Sequence, residues 1–256
     1  MLQHGSAKMT VDQTWGTLLA DHEWQLYKRV LETVHARGLP YVIGGGLSVS
    51  LYTRRWRNTK DMDLLVLPEH RQQFIDVLTE LGLEDYYHRD PYDRSWIYRG
   101  YREGIIIDVI WAMANHRASV DADWIERGLS AMMRGLAVRV VPPEELVWAK
   151  LYVMDRGRCD WPEVLSLLYA QARHLQWEHL LDRVDEDRLL LASLLTMFRW
   201  ISPAGARDVP TWVWQRLGLD HLPEEPASAG GRRRAALFNR VHDWFGPAET
   251  GTHTTT

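Results

Sequence analysis

Residues 41–67 read YVIGGGLSVSLYTRRWRNTKDMDLLVL, and the fold is decided by how this stretch alternates apolar runs with glycine. Tyr41, Val42 and Ile43 predict a short buried strand, and Gly44, Gly45 and Gly46 let the backbone turn with no Cβ in the way. A helix is expected from Leu47. After Arg54 to Lys60 a second apolar strand opens with Asp61 and Asp63, whose side chains share one face because strand side chains alternate. Two carboxylates so placed, close to a glycine turn, suit a divalent cation and phosphate.

Working outward, Asp21 is placed to cap a helix over His22 to Ala36, where Trp24, Leu26, Tyr27, Val30, Leu31 and Val34 recur at helical spacing. Gly38 and Pro40 end it. On the other side, Pro68 and Glu69 start a helix with Phe74, Ile75, Val77, Leu78 and Leu81 inward and Gly82 closing it. Leu83 to Ser95 reads as a polar, aromatic loop with room for one strand turn. Trp96 to Tyr101 predicts a strand, Glu103-Gly104 a hairpin turn, and Ile105 to Trp111 the returning strand. Asp108 stands in the middle of that apolar run. A lone buried carboxylate needs a partner, since leaving it unpaired costs several kcal/mol.

Asp121 to Arg134 is expected to be helical or irregular, followed by a short strand from Ala137 to Val141. Pro142-Pro143 breaks the chain before a helix over Glu144 to Met154. Beyond it the pattern is helical: Trp161 to Ala172, Trp177 to Val184, Arg188 to Trp200, Thr211 to Leu217 and Arg232 to Trp244. The expected class is α+β, a mixed sheet with an appended C-terminal helical domain. The sheet domain is assigned to residues 15–141 and the helical domain to 142–248, with flexible termini at 1–14 and 249–256.

The composition excludes several classes. With 256 residues, 46% apolar and 25% charged, the chain can bury a real core. A formal charge of −4 gives no global case for nucleic-acid binding. Cys159 is the one cysteine, so neither an internal disulfide nor a Cys-type zinc site is available. A reducing cytoplasm fits, and no apolar run approaches the ~20 residues that span a bilayer. Eleven histidines form no HExxH pattern. The arginine run Gly230 to Phe245 reads as a helix with its arginines outward, or as a grip on RNA phosphate.

If Asp61, Asp63 and Asp108 lie on neighbouring strands, the three repel unless a cation neutralises them, and hard oxygen ligands select Mg²⁺ or Mn²⁺. The chemistry would be phosphoryl or nucleotidyl transfer. The competing account has Asp61 capping a strand end, Asp63 paired with an arginine such as Arg57, and Asp108 satisfied inside the core.

The combination GG-L-S, then R-N-T-K-D-M-D, then an acid in a later apolar strand resembles the DNA polymerase β superfamily of nucleotidyltransferases. It is similar in style to the small bacterial members that include AbiEii/MenT-type toxins and aminoglycoside and lincosamide nucleotidyltransferases. The resemblance covers about residues 25 to 165 and implies a nucleotidyltransferase core that moves an NMP from an NTP to an acceptor hydroxyl or phosphate. It implies that Gly45, Gly46 and Ser48 hold the triphosphate, although three glycines in place of a pair leave two registers for the loop. Asp61 and Asp63 are implied as ligands of Mg²⁺ or Mn²⁺, and Asp108 as the third acid and base.

The stretch PPEELVWAKLYVMDRGRCDWPEVLSLL adds Lys150, implied to approach the nucleotide phosphates, with Arg158 and Asp160 beyond it. Asp160 also suits a cap for the helix from Trp161. Arg57 and Lys60, just before the paired acids, could meet a triphosphate or be ordinary surface charges. The acceptor is either RNA or tRNA, with an antitoxin partner in the toxin-like case, or a small molecule such as an antibiotic. Glu84, Asp85, Asp90 and Asp93, with Tyr86, Tyr87 and Tyr92, lean towards a cationic or ring-stacking small substrate. A non-catalytic nucleotide-binding module on the same fold is the alternative.

Overall fold

The computed structural model describes residues 19–56, 59, 61–221, 234, 237 and 238. The flexible termini expected at 1–14 and 249–256, Arg57 and Lys60 lie outside the described residues. So does most of the helix expected over Arg232 to Trp244, of which Arg234, Leu237 and Phe238 are described and helical.

The first helix, α1, spans Asp21–Ala36 and buries Trp24, Leu26, Tyr27, Val30, Leu31 and Val34. Its cap differs from expectation. The Glu23 carboxylate accepts the Ala20 N–H at 3.1 Å, while Asp21 instead accepts from Arg134 at 2.6 Å. Strand β1 (Tyr41–Ile43) leads into α2, which covers Gly45–Thr53 and so begins two residues before Leu47. Gly45 makes the early start possible by taking φ +55° in the first turn. Strand β2 is Asp61–Val66, and after a 3₁₀ turn at Pro68–His70 the helix α3 spans Arg71–Glu80.

The strand turn allowed for after Leu83 is a two-residue strand, β3 (Glu84–Asp85), followed by a 3₁₀ turn over Tyr86–His88. Strands β4 (Ile97–Arg102) and β5 (Ile105–Ile110) form the expected hairpin. Glu103 and Gly104 both take positive φ, 51° and 88°, the left-handed pair that a two-residue turn between twisted strands requires. A second hairpin was not legible. Asp121 to Arg134 holds a short helix, α4 (Ala122–Glu126), and a strand, β6 (Leu129–Met133), which turns through Arg134 and Gly135 into β7 (Leu136–Val140). Its sequence, LSAMM, is too short to show an alternating pattern, and Arg-Gly is not among the turn pairs that signal a hairpin.

Among the described residues seven strands form one sheet in the order β3-β4-β5-β2-β1-β7-β6. The sheet is mixed: β2 runs parallel to β5 and β1 parallel to β7, and the other neighbours are antiparallel. Helix α3 covers the sheet face on which Gly100 lies, so closely that a Cβ there would stand 2.9 Å from Leu78. Helices α5 (Pro143–Leu151), α6 (Trp161–Gln171), α7 (Trp177–Val184), α8 (Arg188–Ile201) and α9 (Thr211–Arg216) follow. One apolar cluster runs from Leu19 to Trp214 through both halves of the chain. Tyr52 ties them further, donating its hydroxyl to the Val141 carbonyl and accepting from Gln171 at its own carbonyl. Among the described residues no helix is long and apolar enough to cross a membrane.

Candidate active site

The parallel pairing of β2 with β5 places Asp63 directly opposite Asp108, and Asp61 lies two residues along on the same face. Carboxylate oxygens of Asp61, Asp63 and Asp108 all lie within 4.8 Å of one another. The next strand continues the row, since Arg99 stands opposite Asp108 across β4–β5. Its guanidinium forks onto that carboxylate, Nε to Oδ1 at 2.8 Å and Nη2 to Oδ2 at 2.7 Å. Asp108 therefore has the partner that its burial demands, and the two-pronged geometry fixes its plane.

Three acids so close raise the cost of ionising any one. Burial, then the charges of Asp61 and Asp108, pushes the Asp63 carboxyl up to about 8, with Lys150 and Arg158 pulling the other way. Burial also raises Asp108, and the hydrogen bonds and charge of Arg99 oppose it. All the donors are hard carboxylate oxygens, and the repulsion they store is relieved by a divalent cation. The donor set fits Mg²⁺ or Mn²⁺.

The glycine turn is built against this acid pair. The Gly44 N–H donates to the Asp63 carbonyl at 2.9 Å, and a Cβ on Gly45 would fall 1.6 Å from Asp63 Oδ2. Glycine is required there twice, by its φ and by the carboxylate. A Cβ on Gly46 would stand 3.1 Å from Thr59 Oγ1, the hydroxyl that lies 3.0 Å from the Asp61 carbonyl and 3.1 Å from Asp61 Oδ1. The start of α2 thus packs against the acids, and a helix N-terminus so placed suits phosphate.

Two expected residues face elsewhere. Ser48 is fully buried, and its hydroxyl is shared between the carbonyls of Ile43 at 2.6 Å and Gly44 at 3.0 Å, so it braces the turn from inside. Lys150 is neither a surface lysine nor open to solvent. Its Nζ meets Asp160 Oδ2 and Glu163 Oε2, both at 2.7 Å, in a buried cluster. Burial lowers the Lys150 pKa, while Asp160 and Asp63 oppose the fall. Asp160 is at the start of α6, but its carboxylate makes no capping bond and takes Lys150 and both prongs of Arg158 at 3.0 Å instead. The Asp155 carboxylate accepts the Arg158 backbone N–H at 2.8 Å, not its guanidinium.

Sequence reasoning missed Arg99, Thr59 and Glu163. Arg99 is the one with a usable signal. It sits mid-strand opposite the lone acid of the next strand, where a cross-strand pair of opposite charge is favoured.

A glycine turn packed on one acid of three converging carboxylates is the site of a nucleotidyltransferase. The chain belongs to the family described as uncharacterised nucleotidyltransferases, whose profile matches residues 21–199. It is accordingly an enzyme of nucleoside monophosphate transfer in general. No curated protein matches the sequence.

Among solved structures, the antibiotic-resistance factor ANT(2″)-Ia in solution is similar at 18% identity and a TM-score of 0.48, over 71% of this chain and 100% of that one. The lincomycin-bound lincosamide antibiotic adenylyltransferase LnuA is similar at 16% identity and a TM-score of 0.42, over 58% and 96%. JHP933 from Helicobacter pylori is similar at 12% identity and a TM-score of 0.38, over 87% and 99%.

Proposed function

We propose that this enzyme moves the NMP of an NTP onto an acceptor hydroxyl in a reaction that depends on Mg²⁺ or Mn²⁺ and releases pyrophosphate. The observation that carries the reading is the packing of Gly45 directly on Asp63, itself in register with Asp108. A phosphate chain on the N-terminus of α2 is thereby brought beside the acids.

Asp61, Asp63 and Asp108 would hold the divalent cation, which when bound neutralises phosphate charge and favours an ionised acceptor oxygen. The N–H groups at Gly45 and Gly46 orient the triphosphate, and Arg158, whose side chain is 65% exposed beside Asp160, faces its outer phosphates. Asp108, fixed in plane by Arg99, takes the acceptor's proton at a carboxylate oxygen. Catalysis then rests on in-line positioning and charge stabilisation. In this reading residues 15–141 carry the acids, and the helical domain from residue 142 contributes Lys150 and Arg158.

The test is Asp63→Asn. Transfer of labelled NMP should fall to background while the melting profile stays cooperative. Undiminished transfer by that variant would remove Asp63 from the mechanism and sink the assignment.

A further inference from the structure

Resting on that reading, we propose that the acceptor presents a nucleobase, as a free nucleotide or as the end of an RNA chain, and that Arg89, backed by the Tyr101 ring, stacks on it. The direction of attack comes first. The glycine turn lies against Asp63 on the β2 side of the acids, so in that reading pyrophosphate leaves on that side. In-line displacement then brings the acceptor from the opposite side, over β4 and β3.

That side is a row of planar groups. Tyr101 lies on the same face as Arg99, two residues along β4. Tyr86, on the 3₁₀ turn after β3, sets its ring 5.6 Å from Tyr101 and 5.9 Å from the Arg99 guanidinium. Arg89 lies 4.1 Å over the Tyr101 ring. It is exposed and has no carboxylate partner among the described residues. Planar cations and phenol rings at such spacing stack on bases.

The acids that favoured a cationic substrate are largely spent inside the loop. Asp85 accepts from the Tyr87 N–H and the Tyr92 hydroxyl, both at 2.9 Å, and pairs with Arg94 at 2.8 Å. Asp93 accepts from Ser95 at its N–H and its hydroxyl. A polyamine sugar would meet guanidinium groups. Glu84 stands opposite Tyr101 at the sheet edge and adds an exposed carboxylate, so this is no long cationic groove. It suits a single base held by stacking, with weak dependence on salt.

The experiment uses the full chain and reads binding apart from turnover. Fluorescence anisotropy follows a labelled single-stranded RNA oligonucleotide on wild type, Arg89→Ala and Arg89→Lys, and AMP competes. Thermal shift with Mg²⁺ and each NTP follows the donor side. Wild type should bind the RNA, Arg89→Ala should weaken it about tenfold or more, and Arg89→Lys should recover little because a point charge does not stack. Displacement by AMP at a comparable concentration assigns the site to one nucleotide, and displacement only by RNA assigns it to a chain end; both support the proposal. No RNA or AMP binding by wild type, equal binding by Arg89→Ala, or NMP label on an aminoglycoside in place of nucleotides would overturn it. Intact, Arg89-dependent RNA binding with no donor shift would strike the transferase reading, and with it the acceptor role, and leave only a nucleobase-binding site.

Discussion

The two sides of the acid row are made of different material. On the donor side the contacts are backbone and buried charge: Gly44 bonded to the Asp63 carbonyl, Gly45 against its carboxylate, and Lys150 enclosed by Asp160 and Glu163. On the side proposed for the acceptor they are half-exposed Arg99, Tyr86 and Tyr101 and exposed Arg89, stacked in a row. A triphosphate is the same for every NTP, which suits the backbone cradle proposed for it. An acceptor is what distinguishes one nucleotidyltransferase from another, and the groups proposed to meet it are ones that substitution can change without disturbing the fold.

The sharpest way to break this contrast is Gly45→Ala. Its methyl group would need the space of Asp63 Oδ2, at a φ of +55° that alanine resists. Displacing one ligand by about an ångström costs on the order of 100-fold in rate. Transfer should therefore fall by about 100-fold or more, and the NTP-dependent thermal shift should shrink, while RNA binding persists. A normal rate in Gly45→Ala would mean that the turn is not the donor cradle.

Lys150→Met comes next and acts on stability. Removing one partner of a buried ion pair strands the other charges, which costs about 3–5 kcal/mol. Urea unfolding should register that loss, whereas Arg89→Ala on the exposed side should stay within about 0.5 kcal/mol of wild type. Equal stability of the two variants would erase the distinction between a buried donor side and a solvated acceptor side.

The same contrast explains what the sequence showed. The donor half is local: a strand, a glycine turn and a carboxylate pair within residues 41–67 announce themselves by spacing, and Asp108 stood out as a lone acid among isoleucines and valine. What stayed hidden depends on which way a side chain turns or on pairings across the sheet. Ser48 looked like a phosphate donor and points inward, because the spacing of a helix start does not say which carbonyls its hydroxyl will find. Lys150, flanked by Trp148 and Tyr152, gave no sign of enclosure, since its partners Asp160 and Glu163 come from the next helix. Tyr86 and Arg89 were seen as members of a polar loop. Their place beside the acids follows from the β3–β4 register, which no local pattern encodes.

The effect most specific to the acids is the pH dependence of stability without metal. Asp63 has an ordinary pKa of 3.8 in the unfolded chain and about 8 in the folded one, raised by burial and by Asp61 and Asp108. Between those values the folded chain keeps a proton that the unfolded chain has released. The contribution is therefore fully present below about pH 4 and is lost as pH rises towards 8. Melting temperatures measured in chelator should show wild type losing stability relative to Asp63→Asn as pH rises from 5 to 8. Added Mg²⁺ should flatten the difference in slope, because it binds the ionised acids of the folded state only. Arg89→Ala should leave the slope unchanged. Parallel pH profiles for wild type and Asp63→Asn would show that the acids do not hold the proton that their spacing demands.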